Sequence, residues 1–403
     1  MRVVSVDTGV TAGVPHATGR TGALPTPSAP GRLCRRELAW ALRTAGPPWL
    51  VARVVVAGAL AWAHELSSRV GLSAAQRARV HEGLLGWDSG WYESIARHGY
   101  GGAGHESLRF FPLVPLLTRA LSWIPGVGVG GALLFVANAS ALVGVVLLAV
   151  LVRREAGDDA LARRAAWLAC LAPPAFTMAM GYAEATLLAL SVGTFLALRS
   201  KAWWWAALLG LAAGAARPVG ALLLFPAVVE AVRGLRGAPP PERVRRAAAV
   251  AGPALGAGIF LGWVGWRYGD ALAPLRVQEQ GTLRGRVADP LRTLAHDAWL
   301  LAHGHHLGSG LHLPWALLSV ALVVVALVRW PASYGVFAAA VVAVALTASN
   351  LDGFERYALS AFPLVLAGAT LCAGERMERA VLAVAAAGLA VYAALAFTNL
   401  YVP

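Results

Sequence analysis

The sequence is poor in charged residues. Asp, Glu, Lys and Arg make up 14% of its 403 residues, while 58% are hydrophobic. Soluble globular domains carry about 25% charge, so a soluble domain is excluded. The composition predicts an all-α protein that crosses a membrane several times.

Cysteine is also scarce, and the sequence lacks the pattern of basic residues expected for nucleic-acid binding. Cys34, Cys170 and Cys372 are the only cysteines, and they lack metal-ligand spacing. We therefore predict neither a disulfide nor a zinc site. The net charge of +13 does not indicate nucleic-acid binding, because basic residues are not interleaved with aromatics on a soluble segment and much of the arginine lies at the ends of apolar runs.

The first 45 residues lack the apolar core of about 7–15 residues that a signal peptide has. They are rich in Gly, Pro, Thr and Arg. Residues 1–45 are predicted to be a disordered cytoplasmic tail, and residues 46–403 a single multispanning domain without a repeat of 20–50 residues.

The sequence contains eleven apolar runs that are candidates for crossing a bilayer, which takes roughly 20 residues. Several are short, and 202–232 is compatible with one hairpin or one broken helix. The glycines and alanines near Gly210 to Gly214 predict close helix packing. The runs lie at 47–64, 128–152, 164–182, 184–199, 202–216, 217–232, 247–267, 311–328, 333–348, 358–373 and 380–398.

Basic residues between the runs predict the orientation, because cytoplasmic loops carry an excess of Lys and Arg. With the N-terminus inside, about eleven spans place every basic group on the cytoplasmic side. These groups are Arg153, Arg154, Arg163 and Arg164, then Arg199 and Lys201, then residues 233–246, then Arg329, then Arg376 and Arg379.

Two outer segments are long, 65–127 and 268–310. Within the first, residues 110–124 are apolar but short and interrupted by proline, so we predict a helix that lies at the outer interface. Counting this segment as a span would invert every loop that follows.

A polar island, residues 86–92, lies in the first outer segment. Asp88 is surrounded by Trp87, Trp91 and Tyr92, with Gly90 allowing a sharp turn. Aromatic rings suit a sugar face, and a carboxylate suits proton abstraction from a hydroxyl. A solvated interfacial loop would have the same composition without any chemistry, and both interpretations stay open here.

The predicted outer face also contains arginines that the positive-inside rule disfavours. Arginine matches phosphate oxygens, but lipid headgroups or local carboxylates are alternative partners for these residues, less so for Arg217 beside Pro218. Candidate substrate-binding residues on this face, besides the polar island, are Arg109, Glu184, Arg217, Asp270, Arg276, Gln278, Arg356 and Tyr357, with Arg97, Arg284, Arg286 and Arg292 as further outer arginines.

Two other clusters favour structural interpretations. His296, His303, His305, His306 and His312 form a loose group with only Asp297 as a nearby carboxylate, which argues against a metal site. The tryptophans at 203–205 begin an apolar run, which is typical of an interface anchor.

Several motifs together resemble the PIG-V-type mannosyltransferases, which include the second mannosyltransferase of glycosylphosphatidylinositol synthesis and bacterial relatives. The similarity spans residues 47–373. In order, the motifs are Trp87-Asp88-Ser89-Gly90-Trp91-Tyr92, His98-Gly99-Tyr100, Arg109-Phe110-Phe111-Pro112, Gly181-Tyr182-Ala183-Glu184-Ala185, Ala216-Arg217-Pro218, Tyr268-Gly269-Asp270 with Arg276, Gln278 and Asp289-Pro290, and Arg356-Tyr357 through Phe362-Pro363.

The resemblance implies a GT-C fold and an inverting transfer of mannose or another hexose from a polyprenyl-phosphate sugar. It implies that Asp88 is the base, and that the acceptor is a glycolipid, polysaccharide or glycoprotein on the extracytoplasmic face of the plasma membrane. A lipid monophosphate donor needs no cofactor and no divalent metal to chelate a diphosphate, and the sequence contains no Asp-x-Asp motif. Ala183, Ala185 and Ala216 depart from the family pattern and leave the acceptor open. The alanine- and arginine-rich composition suggests a high-GC bacterium.

Two other classes of protein also have many spans. A transporter or lipid flippase predicts paired repeats and ionisable residues near mid-span. A non-catalytic membrane scaffold does not explain an outer face rich in arginine. The depth of Asp88, Arg217 and Arg356 discriminates between a lateral groove, expected for a transferase, and a central channel, expected for a transporter.

Overall fold

The computed structural model describes residues 34–280, 283–303 and 312–403. Within these ranges the protein is helical and contains no β-strand, only an isolated bridge between Val287 and Ala348. The prediction of an all-α membrane protein is confirmed at this level. Most of the predicted tail, residues 1–33, and two of the clustered histidines, His305 and His306, lie outside the described residues.

Seventeen α-helices occur in the described ranges. They are α1 (Arg35–Arg69), α2 (Ala74–Glu82), α3 (Asp88–Ala103), α4 (Leu113–Leu121), α5 (Val129–Ala156), α6 (Asp159–Leu171), α7 (Glu184–Arg199), α8 (Trp203–Ala216), α9 (Leu224–Val232), α10 (Pro240–Tyr268), α11 (Ala273–Gln278), α12 (Pro290–Ala302), α13 (His312–Arg329), α14 (Ala332–Leu346), α15 (Phe354–Leu359), α16 (Phe362–Leu371) and α17 (Glu375–Phe397). Short 3₁₀ helices cover Gly83–Leu85, His105–Arg109, Pro173–Met178 and Pro218–Leu223.

Five of the described helices, α1, α5, α10, α13 and α17, are long and apolar enough to cross a membrane. The other six predicted runs form shorter or broken helices, so a count of eleven spans remains a prediction. Proline explains three of the breaks, because Pro173, Pro218 and Pro363 each stand at the start of a new helical segment. At ten residues, α16 is only about 15 Å long.

The first long helix begins earlier than the sequence predicts. Residues 35–45, assigned to a disordered tail, are the first turns of α1. Further along α1, Arg53 is inserted between its neighbours: its Nε lies 2.9 Å from Oδ1 of Asn138 and its Nη2 lies 2.8 Å from the carbonyl oxygen of Met178. A charge within an apolar helix is thereby satisfied, and it fixes α1 against α5.

The glycines of α8 and α10 allow their backbones to approach closely. A Cβ at Gly210 would lie 2.7 Å from Cγ of Pro253, and one at Gly256 would clash with the carbonyl of Leu211. Small residues are used in this way where apolar helices pack without a hydrophobic driving force. The packing matters for the site because α8 ends directly before Arg217.

Ion pairs separate the molecule into two polar ends. At one end, Glu37 pairs with Arg154 at 2.7 Å, Arg164 with Glu378 at 3.0 Å, and Arg199 with Glu155 at 2.7 Å. Each pair joins residues that the charge pattern assigns to the same, cytoplasmic side. The acidic and basic residues of the polar island and its partners gather at the other end. The geometry therefore agrees with the predicted grouping, while the identity of each side remains a prediction.

Candidate active site

The carboxylate of the polar island stands at the start of a helix. Asp88 is the first residue of α3, where the exposed N–H groups and the helix dipole favour a negative charge. Its own N–H donates to the hydroxyl of Tyr182 at 3.3 Å. The sharp turn occurs at Trp87, with a φ of 57°, whereas Gly90 is helical. The expectation that Gly90 makes the turn is wrong, and the strain falls on Trp87 instead.

Trp87 keeps this unfavourable backbone because its side chain is fixed. The indole Nε1 donates to the carbonyl of Ala396 at 3.0 Å, and the guanidinium of Arg79 lies 4.0 Å from the ring centroid. Contacts from α17 and α2 thus hold the turn that presents Asp88. Backbone strain of this kind persists where the surrounding structure over-determines it, and it is common at functional sites.

The segment that ends at Glu184 packs directly against the polar island, residues 86–92, and the residues just before it. The N–H of Gly181 donates to the carbonyl of Leu84 at 3.2 Å, and the hydroxyl of Ser89 donates to the same oxygen at 3.2 Å. A Cβ at Gly181 would lie 3.1 Å from Cβ of Ser89 and 2.7 Å from Cδ2 of Leu133. Only glycine allows this approach, which brings Asp88 and Glu184 into one site.

Five charged residues from distant parts of the chain meet there. Arg356 donates to Oδ2 of Asp88, and its Nε lies 3.4 Å from Oε1 of Glu184. Arg217 pairs with Glu184, and Nη2 of Arg109 lies 3.9 Å from Oδ1 of Asp88. The result is a buried network of three arginines and two carboxylates.

Arg217 reaches this network because the chain breaks at Pro218. A proline disfavours the α-helical conformation of the residue before it, and Arg217 is extended, with φ −158° and ψ 152°. The ring of Tyr357 then lies among three guanidinium groups, with centroid distances of 5.3 Å to Arg217, 5.3 Å to Arg356 and 4.4 Å to Arg284. Tyr357 therefore spaces the arginines through cation–π contacts.

The network opens into a cavity of about 480 Å³. Its charged lining comprises Arg109, Arg217, Arg284, Arg356, Asp88 and Asp352. Its apolar lining includes Val219, Leu222, Leu275 and Val344. Leu275 and Val344 are 44% and 40% exposed, so part of the apolar wall of the cavity reaches the molecular surface.

The sequence-predicted residues divide into three groups. Trp87, Asp88, Tyr92, Arg109, Arg217, Gln278, Arg356 and Tyr357 line the cavity, and Glu184 is bonded to its arginines. Trp91 lies behind Arg109, 5.7 Å from its guanidinium. Asp270 and Arg276 do not line the cavity but pair with each other at 2.7 Å, with Arg276 largely exposed. Their predicted role in substrate binding stays a prediction.

Two residues of the cavity were not among the predicted binding residues. Arg284 is placed by bonds from its Nη2 to the carbonyls of Val344 and Ala345, at 2.9 and 3.2 Å. Asp352 is placed by Asn350, whose Nδ2 donates to Oδ2 at 3.0 Å. The excess of outer arginine was a usable signal for Arg284, whereas no short motif marks Asp352.

A second cavity, of about 670 Å³, also reaches the candidate base. Trp87, Asp88 and Arg109 border both cavities. The remaining lining of the second is polar and aromatic: Arg79, His81, Glu82, Leu85, Gly90, Trp91 and Glu93. Asp88 therefore borders two separate cavities.

The ionisation of Asp88 follows from its neighbours. Burial alone would raise its pKa, but the charges of Arg356 and Arg109 and the hydrogen bond from Arg356 outweigh burial, so the pKa is lowered below its ordinary value of 3.8. Burial raises the pKa of the Tyr92 hydroxyl. At neutral pH the site thus holds an ionised carboxylate beside a neutral phenol.

A second polar network supports the helix that carries Arg356. Glu355 is buried, and its two oxygens contact Nδ1 of His312 at 2.7 Å and the hydroxyl of Tyr401 at 2.8 Å. Nε2 of His312 lies 3.4 Å from Oδ1 of Asp352, and this bond lowers the pKa of Asp352. His312 therefore links the cavity wall to the base of α15.

The other histidines do not build a metal centre in the described part of the chain. No group of three His, Cys, Asp or Glu side chains with suitable geometry occurs among the residues described. Asp297 is buried beside His312 and His296, and burial raises its pKa. The candidate active site is thus defined by arginines and carboxylates.

Comparison with protein-family models, with curated proteins and with solved structures yields no match. The functional assignment therefore depends on the site geometry and on the motif resemblance alone.

Proposed function

We propose that the protein is an integral membrane glycosyltransferase of the GT-C class, resembling the PIG-V-type mannosyltransferases. It transfers a mannosyl or other hexosyl group from a polyprenyl-phosphate sugar to a lipid- or protein-linked acceptor. The observation that carries this proposal is the meeting of Asp88, Glu184, Arg217 and Arg356 at one cavity that also has a partly exposed apolar wall.

The cavity suits an amphiphilic phosphate ester. Its arginines offer guanidinium donors that match phosphate oxygens. Its apolar wall, ending at the exposed residues Leu275 and Val344, provides a lateral path for a polyprenyl chain from the bilayer. A water-soluble nucleotide sugar would not need such a wall.

The charges of the network favour one bound monoanion. Arg109, Arg217 and Arg356 contribute three positive charges, and Asp88 and Glu184 contribute two negative ones, which leaves one positive charge. A sugar phosphodiester carries one negative charge. Its phosphate competes with Asp88 for Arg356, so donor binding frees the carboxylate and makes it a stronger base.

In the reaction, Asp88 removes the proton from an acceptor hydroxyl. The resulting oxygen forms a bond to the anomeric carbon from the face opposite the phosphate, and the carbon–oxygen bond to phosphate breaks, which inverts the configuration. The phosphate leaves with the electron pair as a monoester of about −1.5 to −2 charge. Arginine stabilises this developing charge more strongly than it stabilises the donor.

The second cavity provides a position for the acceptor. Trp87 and Trp91 offer rings for a sugar face, and Asp88 borders the cavity at the point where a hydroxyl must approach. A glycolipid, a polysaccharide and a glycoprotein all present such hydroxyls. The acceptor class thus stays open within the proposal.

The gathering of the charged residues at one cavity favours a transferase over a transporter or flippase. A transport pathway needs ionisable groups that line a route through mid-span. The half-buried mid-helix charge Arg53 is instead bonded to Asn138 and to the carbonyl of Met178. The proposal places the active site on the extracytoplasmic face of a plasma membrane, with about eleven crossings, in a high-GC bacterium.

The proposal is tested with purified protein in lipid vesicles. Radiolabelled polyprenyl-phosphate mannose is supplied with a membrane extract as the source of acceptor, and glucose- and arabinose-carrying donors are run in parallel. We expect time-dependent transfer of label from one donor to an organic- or detergent-soluble product. If neither hexose-carrying donor is consumed, the proposed hexosyl transfer is withdrawn, and consumption of the arabinose donor alone would indicate a pentosyltransferase instead.

A further inference from the structure

A second apolar recess lies at the end of the molecule away from the candidate active site. Helices α9 and α10 border an open groove of about 740 Å³. Val228 and Val232 form one wall, with 38% and 57% of their surface exposed. Ala247 and Ala251, one turn apart on α10, form part of the floor, and their short side chains leave room for a hydrocarbon chain. We call this recess the α9–α10 groove.

The mouth of the groove is strongly basic. Residues 233–246 contain five arginines and one glutamate. Two of the arginines are used internally: Arg233 pairs with Glu230 at 3.0 Å, and Arg246 pairs with Glu242 at 2.6 Å. Arg236 lines the groove, is exposed, and its side chain makes no hydrogen bond or ion pair with any residue that the structure describes. Its charge is free for a partner.

Arg243 holds the mouth in shape next to Arg236. Its Nε donates to the carbonyl of Ala238 at 2.8 Å, and its Nη2 to the carbonyl of Arg236 at 3.2 Å. These bonds satisfy only part of the guanidinium, and its positive charge remains uncompensated by any carboxylate in the described ranges. Two arginine charges therefore face the same opening.

Aromatic residues indicate the depth of the mouth. The guanidinium of Arg246 lies 4.9 Å from the ring centroid of Trp203. The adjacent Trp204 and Trp205 are 59% and 63% exposed. Exposed tryptophans are typical of the membrane–water interface, so the arginines lie at the level of lipid headgroups and the valine wall lies at the level of acyl chains.

We propose that the α9–α10 groove is a binding site for one anionic phospholipid. The phosphate lies against Arg236 and Arg243, and one acyl chain lies between Val228 and Ala247. A zwitterionic lipid would leave the net charge of the mouth uncompensated, whereas an anionic lipid neutralises part of it. Basic pockets between membrane helices bind anionic headgroups in this way. The site uses no residue of the candidate active site and stands independently of the proposed function.

The test measures lipid binding to the full-length, detergent-solubilised protein by native mass spectrometry. Dioleoyl phosphatidylglycerol is the probe and dioleoyl phosphatidylcholine the neutral reference. We expect at least tenfold preference for phosphatidylglycerol. Arg236→Glu should weaken phosphatidylglycerol binding about 25-fold, because one charge near an anionic headgroup contributes roughly fivefold and the substitution changes two units.

Two further variants separate charge and shape. Arg376→Glu changes another exposed arginine outside the groove and should leave the preference unchanged. Ala247→Phe fills the exposed floor, keeps every charge, and should weaken binding of both the probe and the reference. Equal binding of the two lipids by the wild-type protein, or an unchanged preference in Arg236→Glu, would overturn the site. Wild-type affinity in Ala247→Phe would overturn the placement of the acyl chain.

Discussion

Replacing Asp88 with asparagine should separate donor binding from transfer. Asparagine keeps the size of the side chain and can still accept a hydrogen bond from Arg356, but it cannot take a proton. General base catalysis contributes typically about 10²–10⁴-fold. We expect Asp88→Asn to reduce the rate of transfer by roughly 10² or more.

The same substitution should strengthen donor binding. Arg356 now bonds to Oδ2 of Asp88 and approaches Glu184, so a donor phosphate must compete with two carboxylates. Removing one negative charge raises the net charge of the network from one to two. At an effective dielectric constant of about 20, unit charges a few Å apart interact by a few kcal/mol. Even a fraction of that energy corresponds to at least fivefold tighter binding of the donor.

The assay therefore has two readouts on one preparation. Transfer is followed with radiolabelled polyprenyl-phosphate mannose, and binding is followed by equilibrium retention of the same donor on protein in nanodiscs. Glu106→Gln, which changes an exposed carboxylate of the same loop, is the matched control and should behave as wild type. Near-normal transfer by Asp88→Asn would refute the role of Asp88, and weaker donor binding would refute the competition for Arg356.

The remaining predictions concern two of the arginines, the close packing at Gly181 and the pH dependence of transfer. Arg217→Lys should raise the donor KM about tenfold, because lysine cannot form the two-pronged contact with phosphate, whereas Arg276→Lys, in an exposed pair, should change it by less than about twofold. Gly181→Ala should lower the melting temperature and the transfer rate. The added Cβ would lie 2.7 Å from Leu133, and overpacking costs about 1–3 kcal/mol. The control Gly131→Ala, whose Cβ meets nothing within 4 Å, should change neither quantity. The pH dependence of kcat/KM reports the free enzyme, and its acid limb should lie below pH 5. Arg356 and Arg109 lower the pKa of Asp88, so the base is lost only as the pH falls through that lowered pKa. An acid limb at pH 6 or above would contradict an ion-paired base.

Periodic and charge patterns predicted the helices and the grouping of charges better than they predicted contacts. The run 184–199 coincides with α7, and the segment 110–124, predicted to form an interfacial helix, contains the nine-residue helix α4. Hydropathy reports apolar length but not continuity. The proline-containing runs 217–232 and 358–373 therefore looked like spans although the backbone is interrupted in both.

Pairing within the site depends on tertiary packing. Asp88 and Arg356 are 268 positions apart, and the sequence indicated only that both lie on one face. Asp270 and Arg276 share that face, yet they satisfy each other. The turn was assigned to Gly90 from local propensity, whereas contacts from Arg79 and Ala396 impose it on Trp87. Distant packing overrode the local preference at that position.

The most direct test of the central claim is the anomeric configuration of the transferred sugar. A β-linked polyprenyl-phosphate mannose labelled with ¹³C at the anomeric carbon is turned over by the wild-type protein, and the product is examined by its one-bond carbon–hydrogen coupling. Direct attack by an acceptor hydroxyl deprotonated at Asp88 predicts an α-linked product. A β-linked product would require a glycosyl-enzyme intermediate or a different reaction, and would contradict the account.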